Sequence, residues 1–404
     1  MSTSTSTHST GTSSIVRRRI VVVGGGIAGA EAALTLALGL RDVDVLLIGA
    51  WPSIRLLPDL VYAPFGVSPR RIDIPLTDLE PHGVRSVVAD VERIDVARRQ
   101  VITPAGPIPF DVLVAAPGAA ARAGTSFGFR TLDDAMRIRA SLVALAESAG
   151  ARVPRTITIQ AAGDDAWSAP ACELAILIGT WARSCRIADH VDTMLVTADS
   201  EPFSWFGPEA SDIVGAALRR ARVQLATGVP EPVFDQLAGD LTIDVGGLEA
   251  RPIPGLPGRD MRGWYGVDDR CAVADDIYVI GDATHWPIRA GFATAWQARR
   301  VLRALGGDPA SLGSQVGGIP TAAIEYQMDL ADSVLQVRME NADGLAHPFL
   351  GHDTDATVVP GGRPDKLAGL LLHDRVLRWR PDLFDAPLAF RDSLLRHARS
   401  EQLR

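Results

Sequence analysis

Arg19-Ile-Val-Val-Val-Gly-Gly-Gly-Ile-Ala-Gly-Ala-Glu-Ala-Ala-Leu-Thr-Leu-Ala-Leu38 decides the fold. The β-branched run from Ile20 to Val23 predicts a buried parallel strand. Gly24, Gly26 and Gly29 follow in G-x-G-x-x-G spacing, and an Ala- and Leu-rich helix begins at once. Each glycine has a task in such a turn. Gly24 permits the tight strand-to-helix turn, Gly26 lets the backbone approach a pyrophosphate, and Gly29 lets the helix lie close on the strand. The amides at the helix N-terminus then face the phosphates. A bare G-x-G-x-x-G says little. Between a hydrophobic strand and a helix it predicts dinucleotide binding.

Working outward, Val43-Asp-Val-Leu-Leu-Ile48 reads as the second strand of a βαβ unit. An Asp or Glu normally follows, to hold an adenosine ribose hydroxyl. Here it is Gly49, which leaves water or Trp51 and its neighbours to substitute, or the dinucleotide to bind more weakly. Val84–Val88 and Gln100–Thr103 read as two short strands around a polar turn, and Phe110–Gly118 as a buried strand ending in Pro-Gly. Thr156–Gln160, a helix over 169–184 and the strand Thr193–Thr197 form a second αβ region. Asp276-Ile-Tyr-Val-Ile-Gly-Asp282 is a last strand, and helical patterning is expected beyond residue 310.

With 404 residues the chain is expected to hold two or three domains. Its net charge of −8 argues against nucleic acid as a partner. Three cysteines, Cys172, Cys185 and Cys271, are too few and too scattered for a disulfide scaffold. If one helix carries Cys172 and Cys185, they sit roughly 20 Å apart and cannot pair. No metal site is expected. A cytoplasmic compartment fits, with peripheral contact to a membrane as the alternative. There is no apolar run of 18 residues to cross a bilayer. The Ser/Thr-rich stretch over 1–16 reads as a disordered tail, not a secretory signal.

Three motifs now match a known set: Gly24–Gly29, Phe110–Gly118 and Ile277–Asp282. The chain resembles the FAD-dependent pyridine nucleotide oxidoreductases with two dinucleotide-binding domains. Within them it is most similar to the type II NADH dehydrogenase, sulfide:quinone reductase and ferredoxin reductase branch. Glu201-Pro-Phe-Ser-Trp-Phe-Gly-Pro-Glu-Ala-Ser211 and Pro252-Ile-Pro-Gly-Leu-Pro257 add to the match, which covers residues 17 to about 305.

The resemblance implies an α/β fold with two Rossmann-like domains, the second inserted in the first, plus a C-terminal α+β or helical region. Residues 17–130 and 265–310 would form a split FAD domain. Residues 131–264 would form a second, degenerate nucleotide domain, and 311–404 an interface region with a homodimer as one option. FAD would be held by Gly24, Gly26, Ala28, Gly29, Val91, Ala116, Gly118, Gly281 and Asp282. Gly291, Phe292 and Ala293 would open a helix whose positive end faces the flavin and stabilises its anionic reduced form.

The departures limit what carries over. Where a second glycine fingerprint belongs, the chain reads Ala161-Ala-Gly-Asp-Asp-Ala-Trp-Ser-Ala-Pro170. Asp164 and Asp165 would repel a pyrophosphate, so tight NAD(P)H binding in the usual pose is not expected, and NAD(P)H stays an open donor. Trp167 and Ser168 stand where sulfide:quinone reductases place a reactive cysteine. Cys172 follows in the first helical turns, where a helix N-terminus lowers a thiol pKa, so it is a candidate nucleophile beside the alternative of a small buried residue. The cysteine pair of the disulfide reductase branch is absent. Pro117 removes a donor from the turn after the Phe110 strand. Arg289 and Phe292 replace a lysine and glycines of relatives. His285 is the candidate for proton transfer, since it titrates near neutrality.

The basic amphipathic segment Lys366–Arg380, with Leu367, Leu370, Leu371 and Leu377 on one face, suits either a membrane surface or the chain's own domain. The expected activity is an FAD-dependent oxidoreductase passing electrons to a quinone, a redox protein or a small organic substrate. The rivals are a degenerate, non-catalytic flavoprotein or nucleotide-binding module, and a secondary-metabolism tailoring flavoenzyme that does not use NAD(P)H.

Overall fold

The computed structural model describes residues 17–66, 73–121, 127–148, 155–161, 168–286, 288–316, 319–320, 323–340, 354–361 and 364–377. The Ser/Thr-rich stretch, the Gly163–Asp165 and Trp167 segment, and the Arg378–Arg380 end of the amphipathic segment lie outside these residues.

Strand β1 (Arg18–Val23), helix α1 (Ile27–Gly39) and strand β2 (Val43–Gly49) form the predicted βαβ unit. Ile20 to Val23 are all buried, as a central parallel strand requires. β1 and β2 pair in parallel, Val23 opposite Ile48. Strand β3 (Val84–Val88) extends this sheet beside β2. It does not pair with Gln100–Thr103, which instead joins Arg93–Asp95 and Gly106–Pro109 in a small antiparallel sheet. The exposed faces of these short segments carry no signal for which partner each takes. Strand β4 (Val112–Ala115) pairs with the other side of β1.

Helix α2 (Leu132–Ser148) leads to a second parallel sheet. Its members are β5 (Arg155–Ala161), β6 (Val191–Thr197), β7 (Val223–Ala226) and β8 (Leu241–Asp244). Helix α3 (Ala169–Ser184) connects β5 to β6, and helix α4 (Pro208–Arg220) connects β6 to β7. The order is β8-β5-β6-β7, with the short strand Phe127–Gly128 at the β8 edge.

The chain then returns to the first sheet. Strands β9 (Ala272–Ala274) and β10 (Ile277–Val279) complete the order β9-β10-β4-β1-β2-β3. Helix α5 (Gly291–Ala304) follows and packs on α1. One sheet is therefore built from two stretches far apart in sequence. The fold is α/β with two Rossmann-like parallel sheets.

The C-terminal region takes the α+β form of its two expected alternatives, not the helical one. Strands β11 (Ile324–Asp329), β12 (Ser333–Met339) and β13 (Asp355–Pro360) make an antiparallel sheet. Alternating burial along β12 explains it: the period is that of a strand packed on one face. The amphipathic segment forms only a short π-helical turn, Leu372–Val376. Leu367, Leu370, Leu371 and Leu377 are all buried in the chain's own core. That apolar face is spent inside the molecule, not offered to a membrane. Among the described residues no helix is long and apolar enough to cross a membrane.

Candidate active site

The parallel registers bring three strand ends level. Val23 lies opposite Ala115, and Ala115 opposite Val279, so the loops after β1, β4 and β10 meet at one edge of the sheet. This is where a doubly wound sheet binds its ligand. The contacts there are close. Gly24 has φ +117°, and a Cβ on it would overlap the Ala116 carbonyl oxygen. A Cβ on Gly29 would overlap the Gly24 oxygen, so α1 lies tight on the turn. A Cβ on Gly281 would come within 2.7 Å of Ala28 Cβ, which ties the loop after β10 to the glycine turn. Gln297 fixes that loop from α5. Its Oε1 accepts from Gly281 N at 2.7 Å, and its Nε2 donates to Thr284 Oγ1 at 3.3 Å.

The edge is open where a ligand would pass. Among the described residues, no atom beyond the chain neighbours lies within 4 Å of a Cβ built on Gly26 or on Gly118. Asp282 follows Gly281 in the short turn after β10. Arg130 enters from the end of the Phe127–Gly128 strand, and its Nε is buried without a hydrogen-bond partner. Burial lowers the Arg130 pKa and Arg289 adds to the lowering, while Asp282 and Asp244 oppose it. A free cradle, a cation and a carboxylate suit a phosphate and a polyol chain. At β2 the fit is poorer: the side-chain space of Gly49 is filled by Gly25, Leu76 and the Trp51 carbonyl.

Three of the sequence candidates sit elsewhere. Cys172 is fully buried in α3, and burial, with Asp199 nearby, pushes its thiol up to about 12. Desolvation therefore outweighs the helix N-terminus, and the group is a protonated thiol at neutral pH. His285 is exposed, with Nδ1 3.3 Å from Tyr265 O and 3.4 Å from Val267 N. It lines a cavity of about 70 Å³ with Asp268, Asp269, Trp286 and Trp296, at the β9 edge. Val91 is half-buried and packs under the sheet with Ile94 and Val101.

The N-terminus of α5 is covered. A Cβ on Gly291 would stand 3.2 Å from Lys366 O. Phe292 and Ala293 are buried, and the Phe292 ring meets Phe206 and Tyr326 edge-on at 6.3 and 6.2 Å. Phe206 stacks on Tyr326 at 4.7 Å. Burial, with Glu173 and Cys172 alongside, holds the Tyr326 phenol well above its usual pKa.

Beside this aromatic group lies a charged cluster that sequence reasoning missed. Lys366 Nζ donates to Glu173 Oε2 at 2.8 Å and to Pro58 O at 2.9 Å. It also lies 4.9 Å from the centre of the Tyr62 ring. Tyr62 donates to Asp329 Oδ2 at 3.0 Å, and Asp329 N–H donates to Glu173 Oε1 at 3.0 Å. The cluster joins the 3-10 segment Leu57–Phe65, α3 and the C-terminal sheet. Burial raises the Glu173 pKa, and Lys366 offsets only part of the rise. The signal was present: Lys366 is the only lysine of the chain, and Glu173 the only acid of α3. Asp199 was missed too. It follows β6, where an α/β unit places its ribose-binding acid, and its Oδ2 is buried without a partner.

The sequence pattern of the family described as pyridine nucleotide-disulphide oxidoreductase matches residues 18–231, more than half of the chain. The chain belongs to this family.

Its members bind FAD, and the protein is an FAD-dependent oxidoreductase. The disulphide of the family name has no counterpart here, because all three cysteines are free. Comparison with curated protein sequences returns no match. Among solved structures the chain is similar to the sulfide:quinone oxidoreductase from the hyperthermophilic bacterium Aquifex aeolicus. That likeness has a TM-score of 0.68 at 16% identity, over 93% of this chain and 92% of that one. It is also similar to the ferredoxin reductase for the CYP199A2 system from Rhodopseudomonas palustris. There the TM-score is 0.56 at 18% identity, over 81% and 83% of the two chains. NDH2 from Plasmodium falciparum in complex with NADH gives 0.52 at 14% identity, over 66% and 64%. At these identities the likeness is one of fold.

Proposed function

We propose that this oxidoreductase passes electrons from FAD to a quinone-like small molecule, and that Glu173 and Lys366 serve the protons. Residues 17–130 and 265–310 form the FAD domain in this reading, and 131–264 the second nucleotide domain. The glycine turn and the first amides of α1 hold the pyrophosphate, with Arg130 as a further cation. Asp282 holds the ribityl hydroxyls. When bound, the flavin supplies the two-electron redox chemistry.

The buried Glu173–Lys366 pair carries the proposal. Reduction of a quinone by an anionic reduced flavin takes up one proton beyond the hydrogen the flavin carries, and a dry site needs a group that supplies it. Lys366 Nζ donates to Glu173 Oε2 and Pro58 O beside the covered end of α5. Glu173, raised by burial, takes up a proton closer to neutrality than a free carboxylate does. The aromatic group Phe206, Phe292 and Tyr326 excludes water and suits a planar apolar acceptor. The quinone named for the Aquifex aeolicus relative agrees with this choice.

For the donor, Asp199 favours NADH over NADPH, since an acid after β6 accepts from a ribose hydroxyl and repels a 2′-phosphate. A bespoke small reductant is the second reading, favoured by Asp164 and Asp165 where a pyrophosphate would lie.

The test is stopped-flow reoxidation of the reduced flavin by a water-soluble quinone and by ferricyanide, which needs no proton. Glu173→Gln is expected to slow the quinone reaction by about 10²- to 10⁴-fold and leave ferricyanide unchanged. Equal slowing of both, or of neither, contradicts the proposal.

A further inference from the structure

The missing acid at the end of β2 is more than a substitution. A Cβ on Gly49 would lie 3.0 Å from Leu76 Cδ1, 3.1 Å from Gly25 Cα and 3.2 Å from Trp51 O. A side chain there requires these neighbours, backbone among them, to give by a few tenths of an ångström. An adenosine crossing this edge therefore finds no carboxylate for its ribose hydroxyls, and its affinity must come from another contact.

Two large apolar side chains stand exposed at this edge. Trp51, two residues past β2, is 70% exposed. Val88, the partner of Gly49 across β3, is 54% exposed. Their backbone is firmly held. Trp51 precedes a proline, which confines it to extended conformations. Pro52 O accepts the Leu76 N–H at 2.9 Å, and Gly49 O accepts the Ala89 N–H at 2.9 Å. Gly24 N–H donates to Ile48 O at 2.8 Å, so the mount is continuous with the glycine turn. A rigidly mounted indole left in water beside a nucleotide turn has no packing role in the fold.

We propose that Trp51 stacks on the adenine ring of bound FAD, with Val88 as the adjoining apolar wall, and supplies the adenosine affinity that Gly49 cannot. An aromatic face serves this purpose because every base has a π-face, and stacking needs no ribose acceptor. The inference rests on the FAD reading and extends it to how the adenosine half is held.

Equilibrium ultrafiltration of the apoprotein with FAD, and separately with ADP, tests it. Trp51→Ala is expected to weaken both ligands by about ten- to a hundred-fold. Trp51→Phe is expected to stay within about threefold of the parent. The thermal midpoint of the apoprotein should not move in either variant, since the ring is exposed. Trp51→Ala binding FAD within about twofold of the parent overturns the stacking alone. A loss for FAD with none for ADP overturns it as well. A parent chain that retains no FAD overturns both this inference and the reading beneath it.

Discussion

Replacing Lys366 by methionine strands Glu173. The lysine makes charge-assisted hydrogen bonds to Glu173 Oε2 and Pro58 O, at 2.8 and 2.9 Å, and both side chains of the pair are buried. Removing one partner of such a pair costs about 3–5 kcal/mol, because the remaining charge is left without compensation. The carboxylate has an escape: it can bind a proton. Its pKa is already above the ordinary 4.5 through burial, and Lys366 is what draws it down. Without the lysine it rises further. Between 4.5 and that raised value the folded chain holds a proton that the unfolded chain has released. Stability then falls as pH rises through this window. The loss in Lys366→Met is therefore expected to be small near pH 5 and to approach about 3–5 kcal/mol by pH 8. Urea unfolding at the two pH values, at one ionic strength, measures it. The double variant Lys366→Met/Glu173→Gln should recover most of the loss at pH 8, since no charge is left to strand. A loss under about 1 kcal/mol at pH 8, or one equal at both pH values, refutes the reasoning.

Glu31, buried in α1, accepts the backbone N–H groups of Leu371 and Leu372 at 2.9 Å each, and Glu31→Ala leaves both without an acceptor. Limited proteolysis should then cut the segment around Leu370 in the variant before the parent, and stability should fall by about 2–5 kcal/mol. Gly29→Val drives a side chain into the Gly24 carbonyl, so ultrafiltration should find no FAD retained. Iodoacetamide at pH 8 should label Cys185 and leave Cys172 and Cys271, which are buried and pushed up to about 12, unmodified in the folded chain. Mass spectrometry of the labelled peptides reads this directly.

The first βαβ unit was legible because every signal in it agrees. Ile20–Val23 has the β-branched run of a buried strand, the glycines have the spacing of the turn, and the helix is Ala- and Leu-rich. Helix α3 and the strands after it were legible for the same reason. The C-terminal sheet was not. β11 and β12 pair as a local hairpin, but β13 joins them only after a gap in the sequence, and the leucines around residue 370 match a helical face as well as a buried loop. The glycine turn could be placed from its spacing, and Asp282 from the family resemblance of Ile277–Asp282. The Glu173–Lys366–Asp329–Tyr62 cluster could not, because it is made of residues from four separate stretches. Its only trace in the sequence is a charge on an apolar helix and a single lysine. For Cys172, sequence gives the helix N-terminus but not the burial, and burial sets the pKa.

The visible absorbance of the purified chain, after incubation with FAD and removal of unbound cofactor, tests the central claim most directly. A flavin spectrum at about one FAD per chain is the expected result, as the open cradle around Gly26, Gly118 and Asp282 requires. A chain that stays colourless contradicts the account, because the chemistry assigned to it runs on the bound flavin.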